Sequence, residues 1–288
     1  MEFEYDFTRY LAAKKTVDDR ALNKNVWQQL RQEIPDQPDI LEIGAGIGTM
    51  VERLAADGMV QNGHFGKLSA GCYTAIDNQP ANITAARSRL SQLPPALSLT
   101  LEVIDLFDFA AREQGKRLWD LLIAHAFLDL MDIPATLPIL FSLLKPGGLC
   151  YFTINFDGAT SLEPAIDPAF DGLVEQLYHH TMDERIVNGR YSGDSRSGRH
   201  LFSHLRQNGI EIIAAGSSDW VVFAGKDGYP ADEAYFLHFI VHTIHQALRG
   251  HAQLVEIQFE EWIAQRHAQI EAGELVYIAH QLDFLGRK

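Results

Sequence analysis

The chain has 288 residues, of which 47% are hydrophobic and 22% charged, and a formal net charge of −14. That apolar share supplies a sizeable core and excludes global disorder, and the length suits one α/β domain carrying insertions. The acidic balance repels phosphate backbones and disfavours nucleic acid as a partner.

In chain order, the opening MEFEYDFTRYLAAKK has no basic start leading into an apolar run, so no signal peptide is expected. Thr16 with Asp19 reads as a capping box. Val17, Leu22, Val26, Leu30 and Ile34 recur at helical spacing, which predicts one amphipathic helix ended by Pro35 and Pro38. Strand-like and helix-like segments then alternate. DILEIG is a buried strand and TMVERLAADG a helix closed by Gly58. CYTAID is the second strand, QPANITAARSRLSQL a helix, LTLEVID the third strand and WDLLIAH the fourth. The helix IPATLPILFSLL and the turn KPGG lead to a fifth strand, LCYFTINF. Such alternation predicts a parallel sheet with helices on both faces.

After Phe156 the pattern loosens. Residues 157–200 read as a polar insertion with one helix, DPAFDGLVEQLYHH. A helix RHLFSHLRQNG and a strand IEIIAAG follow, with WVVFAG extending that strand. Two helices, about 231–249 and 254–270, precede a last strand, LVYIAHQLDFL. No apolar stretch approaches the roughly 18–20 residues that span a membrane. Cys72 and Cys150 form no metal or redox spacing, so the chain reads as cytoplasmic and reduced.

Gly44, Gly46 and Gly48 follow the first strand at every second position. Glycine permits φ > 0 and lets a ligand approach with no Cβ in the way. A strand-to-helix turn also aims N–H groups at that ligand. Dinucleotide sites use G-x-G-x-x-G. Here the spacing is G-x-G-x-G, and Glu42 inside the strand would repel a pyrophosphate while suiting an amino or sulfonium group. Asp77, ending the second strand, can take both hydroxyls of a ribose. Asp105, after the third, can accept from the exocyclic amine of adenine. The alternatives are a tight ligand-free turn, a buried water-paired Glu42, and two helix N-caps.

The segments LEIGAGIG, AIDNQ, VIDLFDF, WDLLIAHAFLDLMD and LLKPGGLCYFTINF stand in the order of the class I S-adenosylmethionine-dependent methyltransferases, which residues 36–156 resemble. ELVYIAHQLDFLGRK is similar to the closing antiparallel strand of that fold. The resemblance implies a doubly wound, seven-stranded, mostly parallel Rossmann-like sheet in the order 3-2-1-4-5-7-6. S-adenosylmethionine would lie over the carboxyl ends of strands one to four. Position by position, Glu42, Gly44, Ala45 and Gly46 would line its methionine part. Asp77, with Asn78 beside it, would hold the ribose, and Asp105 and the backbone of Leu106 would read adenine. Ala124 and His125 would lie near the sulfonium. The segment before strand one often folds over the cofactor in this family. Arg9 would then meet the methionine carboxylate and Tyr10 would stack nearby, the alternative being a solvated helix start.

Two departures from the family pattern stand out. Asp77 follows Gly46 at a longer spacing than the roughly 20 residues of a nucleotide-binding βαβ unit, which an inserted loop, GMVQNGHFGKLSAG, explains. Strand four ends in AHAFLD and not in the Asp/Asn-Pro-Pro-aromatic motif of enzymes that methylate nucleic-acid amines.

His125 is a candidate base, since imidazole titrates near neutral pH; the alternative is a ring that only packs over the cofactor. Asp129, one turn on, would orient it or cap a helix. His238, His242 and His245 share a helix face, but no cysteine joins them, so a polar stripe beside a substrate pocket is favoured over metal. Ser218, Asp219 and Trp220 either close that pocket or form a strand-edge bulge.

These features predict an N-terminal helical lid over residues 1–35 and a methyltransferase domain over 36–288, with insertions at about 157–200 and 229–270. The expected activity is S-adenosylmethionine-dependent methylation of a small organic molecule at O or C. No metal, nucleic-acid partner or membrane is expected, and the oligomeric state stays open. Methylation of a protein or RNA is an alternative that needs an open, basic groove. A non-catalytic S-adenosylmethionine-binding module is another. NAD chemistry is disfavoured by the glycine spacing and Glu42.

Overall fold

The computed structural model describes residues 5–56, 72–93, 98–187 and 189–288. Two helices, α1 (Phe7–Ala21) and α2 (Lys24–Glu33), stand where the spacing predicts one. Leu22 leaves helical geometry at φ −46°, ψ 127°. Asn23 then restarts the helix, its side chain accepting from the N–H groups of Asn25 and Val26. Thr16 is no cap; it lies inside α1 and its hydroxyl donates to Glu233. The N-cap of α1 is Asp6, which accepts from the Arg9 N–H.

The predicted alternation follows: β1 (Ile40–Ile43), α3 (Thr49–Ala56), β2 (Cys72–Asp77), α4 (Pro80–Arg89), β3 (Ser98–Val103), α5 (Leu106–Glu113), β4 (Trp119–His125), α6 (Ile133–Ser142) and β5 (Leu144–Glu163). Next come α7 (Pro168–Asp183), a small hairpin of β6 (Ile186–Val187) and β7 (Arg190–Tyr191), and α8 (Ser197–Gln207). Then follow β8 (Glu211–Ser217), β9 (Trp220–Val222), α9 (Glu233–Leu248), α10 (Glu256–Glu271) and β10 (Val276–Arg287). The glycine-rich segment 58–71 falls outside the described residues.

The sheet runs β3-β2-β1-β4-β5-β10-β8, parallel through β5 and antiparallel beyond it. This is the doubly wound methyltransferase order, with β8 and β10 as its sixth and seventh strands. WVVFAG does not extend β8. The separate β9 pairs with the first half of β10 while β8 pairs with the second half, and Ser218 and Asp219 make the step between them. The insertion after Phe156 also begins as sheet, because β5 continues to Glu163 against β10. β2 and β5 are separated by β1 and β4, and Cys72 and Cys150 are free thiols.

β1 and β4 are apolar because both their faces are covered. Val26, Leu30, Met50 and Leu54 pack on one side of the sheet. Phe109, Leu137, Leu140 and Leu205 pack on the other. A third cluster joins Ala13 and Val17 of α1 to Val174, Trp220, Phe236 and Trp262, so α1 packs with α7, α9 and α10. No helix among the described residues is long and apolar enough to cross a membrane.

Candidate active site

The turn after β1 carries left-handed backbone at Gly44 (φ 65°) and Gly46 (φ 55°), which side-chain-bearing residues adopt at a cost. A Cβ on Gly44 would stand 2.4 Å from Phe127 Cδ2, and one on Gly46 would stand 3.4 Å from Leu11 Cδ1. The turn is therefore covered by Phe127, just past β4, and by Leu11 of α1.

Asp77 locks this turn to the tip of β2. Its Oδ2 accepts the Gly46 N–H at 2.9 Å. Its Oδ1 accepts the Gln79 N–H at 2.8 Å and the Asn82 amide at 3.1 Å. Ala45 is buried and donates to the Ile76 carbonyl. Asn78 is exposed, its Oδ1 accepting from the Gln79 side chain. Asp105 caps α5 by accepting the Phe107 N–H at 2.8 Å, and the adjoining Leu106 is buried.

Glu42 is 2% exposed, and the Tyr73 hydroxyl donates to its Oε2 at 2.6 Å. Burial pushes its carboxyl up to about 7, with Asp77 adding to the rise.

At the tip of β4, Ala124 is fully buried and His125 sits in a charged network. The His125 Nε2 is 2.9 Å from Asp18 Oδ2, and its Nδ1 is 2.7 Å from the Thr153 hydroxyl. The same Asp18 oxygen accepts from Lys14 Nζ at 2.6 Å, and Asp18 Oδ1 accepts the Trp220 indole N–H at 2.9 Å. Arg53 reaches Asp18 at 3.4 Å and Asp19 at 2.6 Å. Burial alone would raise the Asp18 carboxyl, but Lys14, His125 and Arg53 together hold it well below the usual carboxylate range. Burial first, then Arg53, lowers His125 to about 4, so the ring is neutral at pH 7. The same Nε2 is 3.1 Å from Arg53 Nη1, so it stands between a carboxylate that only accepts and a guanidinium that only donates. Both ring nitrogens are thereby engaged within the protein. Lys14, Asp18, Arg53 and Thr153 escaped the sequence reading, because charges spaced four apart on a helix look like a solvated face.

α1 does lie on the glycine turn, but not through the residues expected. Arg9 pairs with Asp232 through two hydrogen bonds, at 2.8 and 2.9 Å, and lies over the Tyr235 ring. Tyr10 stacks on Phe239 at 4.2 Å. It is Leu11 that reaches Gly46.

The histidine stripe on α9 is divided among separate partners. His238 meets His267 at 2.8 Å, His245 meets Glu260 at 2.7 Å, and His242 stacks on Tyr5. Among the described residues, no three His, Cys, Asp or Glu side chains converge as a metal ion requires. Asp219 accepts from Ser217 and His280, while Trp220 serves Asp18. A cavity of about 640 Å³ opens between β5, α7 and Ser195–Arg196, and no residue of the glycine turn lines it.

Residues 41–150 match the family described as a methyltransferase domain. Over those residues the chain carries a methyltransferase domain, that of an enzyme. A solved structure from Bacillus halodurans, described as a methyltransferase, is similar at a TM-score of 0.50 and 10% identity, covering 92% of this chain and 99% of that one. That likeness shows the fold. An S-adenosylmethionine-dependent methyltransferase from Thiobacillus denitrificans, in complex with S-adenosylhomocysteine, is similar at 0.49 and 14% identity over 99% of both chains. A Galdieria sulphuraria protein described as a sarcosine dimethylglycine methyltransferase is similar at 0.47 and 14% identity, over 95% of this chain and 85% of that one. No curated protein matches the chain in sequence.

Proposed function

We propose that this chain is a class I S-adenosylmethionine-dependent methyltransferase that acts on a small organic molecule, at an oxygen or a carbon. The observation that carries this is the roof over the strand tips: Leu11 lies on Gly46 and Asp18 on His125, both from α1. A protein or RNA substrate needs an open groove, whereas a roofed site suits an acceptor small enough to be enclosed. The net charge of −14 argues in the same direction against RNA.

The residues present fit S-adenosylmethionine. A turn whose Cβ positions are already filled by neighbours lets only backbone face the ligand there. Glu42, Gly44, Ala45 and Gly46 would hold the methionine part. Asp77 and Asn78 would hold the ribose, Asp105 and the Leu106 backbone the adenine, and Ala124 would stand beside the sulfonium. The bound donor supplies an electrophilic methyl group, and positioning supplies much of the acceleration, so no base is obligatory. In this scheme His125 ties α1 to the sheet and so positions the roof. Arg9 and Tyr10 fasten α1 to α9 through Asp232 and Phe239.

Isothermal titration with S-adenosylmethionine tests the first step, and a failure to bind at millimolar ligand overturns it. Mass spectrometry of small molecules methylated from a deuterated donor tests the second. Methyl groups appearing only on protein or RNA would overturn the small-molecule assignment.

A further inference from the structure

Beyond the strand tips, β5 carries a bulge. Phe156 pairs with Gln281 and Thr160 with Ala279, so Asp157, Gly158 and Ala159 stand against His280 alone. Such an excess on one strand bends it and re-aims its side chains. Gly158 takes φ 70°, and a Cβ there would stand 3.1 Å from Arg196 Cγ, so the bulge lies directly against the Arg196 stem. The cavity of about 640 Å³ opens over this bulge, with α7 as its facing wall. Its Thr160 lies well along β5 from Thr153, the partner of His125. At about 3.3 Å per residue that places the cavity on the order of 15–20 Å from the tip of β4.

Three titratable groups of the lining are already engaged. His179 Nε2 is 3.0 Å from the Thr160 hydroxyl, and His180 reaches Glu184 at 3.1 Å. Asp183 accepts the Ser195 N–H at 2.7 Å and the Ser195 hydroxyl at 3.1 Å. Two charged liners differ: the Glu175 carboxylate and the Arg196 guanidinium make no hydrogen bond or ion pair among the described residues. Glu175 is half-buried. Burial, then Asp171, pushes its carboxyl up to about 7, opposed by Arg266, so a cation beside it would supply the counter-charge it lacks.

The two charges are also held apart. Asp183, which grips Ser195, lies two turns beyond Glu175 on α7, about 12 Å along the helix axis. Glu175 therefore stands towards one end of the cavity and Arg196 towards the other. A simple anion satisfies only Arg196 and a simple cation only Glu175. A molecule carrying both charges, separated along its length, satisfies the two at once. Gly172 shares the α7 wall, and a Cβ there would meet nothing within 4 Å, which keeps the space between them open.

Going beyond the methyl-transfer reading and independent of it, we propose that this cavity is a second small-molecule site, which takes a zwitterion with its ammonium on Glu175 and its carboxylate, several bonds away, on Arg196.

The test uses the full chain above pH 7, where Glu175 is ionised, and 6-aminohexanoate as the probe. Hexanoate and methyl 6-aminohexanoate lack the ammonium and the carboxylate respectively. Calorimetry should show the zwitterion binding roughly tenfold tighter than either, as expected for hydrogen bonds to charged groups. Glu175→Gln should erase the advantage over hexanoate, and Arg196→Gln the advantage over the ester. Gly172→Leu should block the zwitterion by filling the cavity, and since leucine favours a helix over glycine the fold should be kept. No binding of the zwitterion at roughly 10 mM, equal affinity of the three probes, or an advantage that survives these substitutions would overturn the inference. So would displacement of the zwitterion by S-adenosylmethionine, which would place it at the strand tips instead.

Discussion

Asp18 of α1 lies 2.9 Å from the His125 Nε2 at the tip of β4, and through that contact the roof helix is tied to the sheet by a buried charge. Lys14 and Arg53 are the cations that make this charge tolerable. Removing one member of a buried charged set leaves the others uncompensated. Asp18→Asn should therefore cost about 3 kcal/mol at pH 7, measured by urea unfolding. The folded carboxyl is depressed, so its stabilisation is present above the unfolded value of about 4 and is lost as pH falls below it. The gap between wild type and variant should narrow in acid. A gap independent of pH would show that Asp18 is not the charge holding the network.

Glu42 gives the opposite sign. Burial raises its folded value to about 7, above the unfolded value of about 4.3, so the folded state holds the extra proton between those limits. Its contribution to stability is present at low pH and is lost as pH rises towards 7. Glu42→Gln should flatten that part of the stability profile. If Glu42 faces the ammonium of S-adenosylmethionine, wild-type affinity should climb between pH 6 and 8 as the carboxyl ionises. The glutamine variant should lack that climb, and matching profiles for the two proteins would remove Glu42 from the ligand.

Gly44 and Gly46 differ in the space beside them. Alanine at either meets left-handed strain of roughly 1–2 kcal/mol. At Gly44 the new Cβ also collides with the Phe127 ring at 2.4 Å, while at Gly46 it meets Leu11 at an ordinary 3.4 Å. Thermal unfolding should therefore rank Gly44→Ala as the more damaging, with S-adenosylmethionine binding lost in both. Equal damage would mean that Phe127 yields freely.

Asp77 combines a structural and a binding task. Asparagine has one acceptor oxygen where the carboxylate offers two, so a donor on Gly46 or near Gln79 would face an amide N–H. Asp77→Asn should destabilise by about 1–3 kcal/mol. It should also weaken S-adenosylmethionine roughly tenfold or more in calorimetry. Retained affinity would leave Asp77 as a clamp for the turn and nothing further.

The strands and their acidic tips could be read from the residues because each leaves a local trace, whereas the strand order was implied by the resemblance to the methyltransferases. Strands covered on both faces are apolar runs, and backbone forced to φ > 0 appears as glycine at Gly44 and Gly46. The break between α1 and α2 was legible too, in the N-capping Asn23, but the helical spacing on either side masked it. Other features left no local trace. Whether Arg9 faces a cofactor or Asp232, whether β5 stops at Phe156 or runs to Glu163, and whether Lys14 and Asp18 are solvated or buried depend on groups distant in the chain. Asp18 and His125 lie 107 residues apart, and Arg9 and Asp232 223. A helix bearing charges at a spacing of four is the same pattern in water and in a core; only the opposing surface decides its cost, and folding alone brings that surface into place.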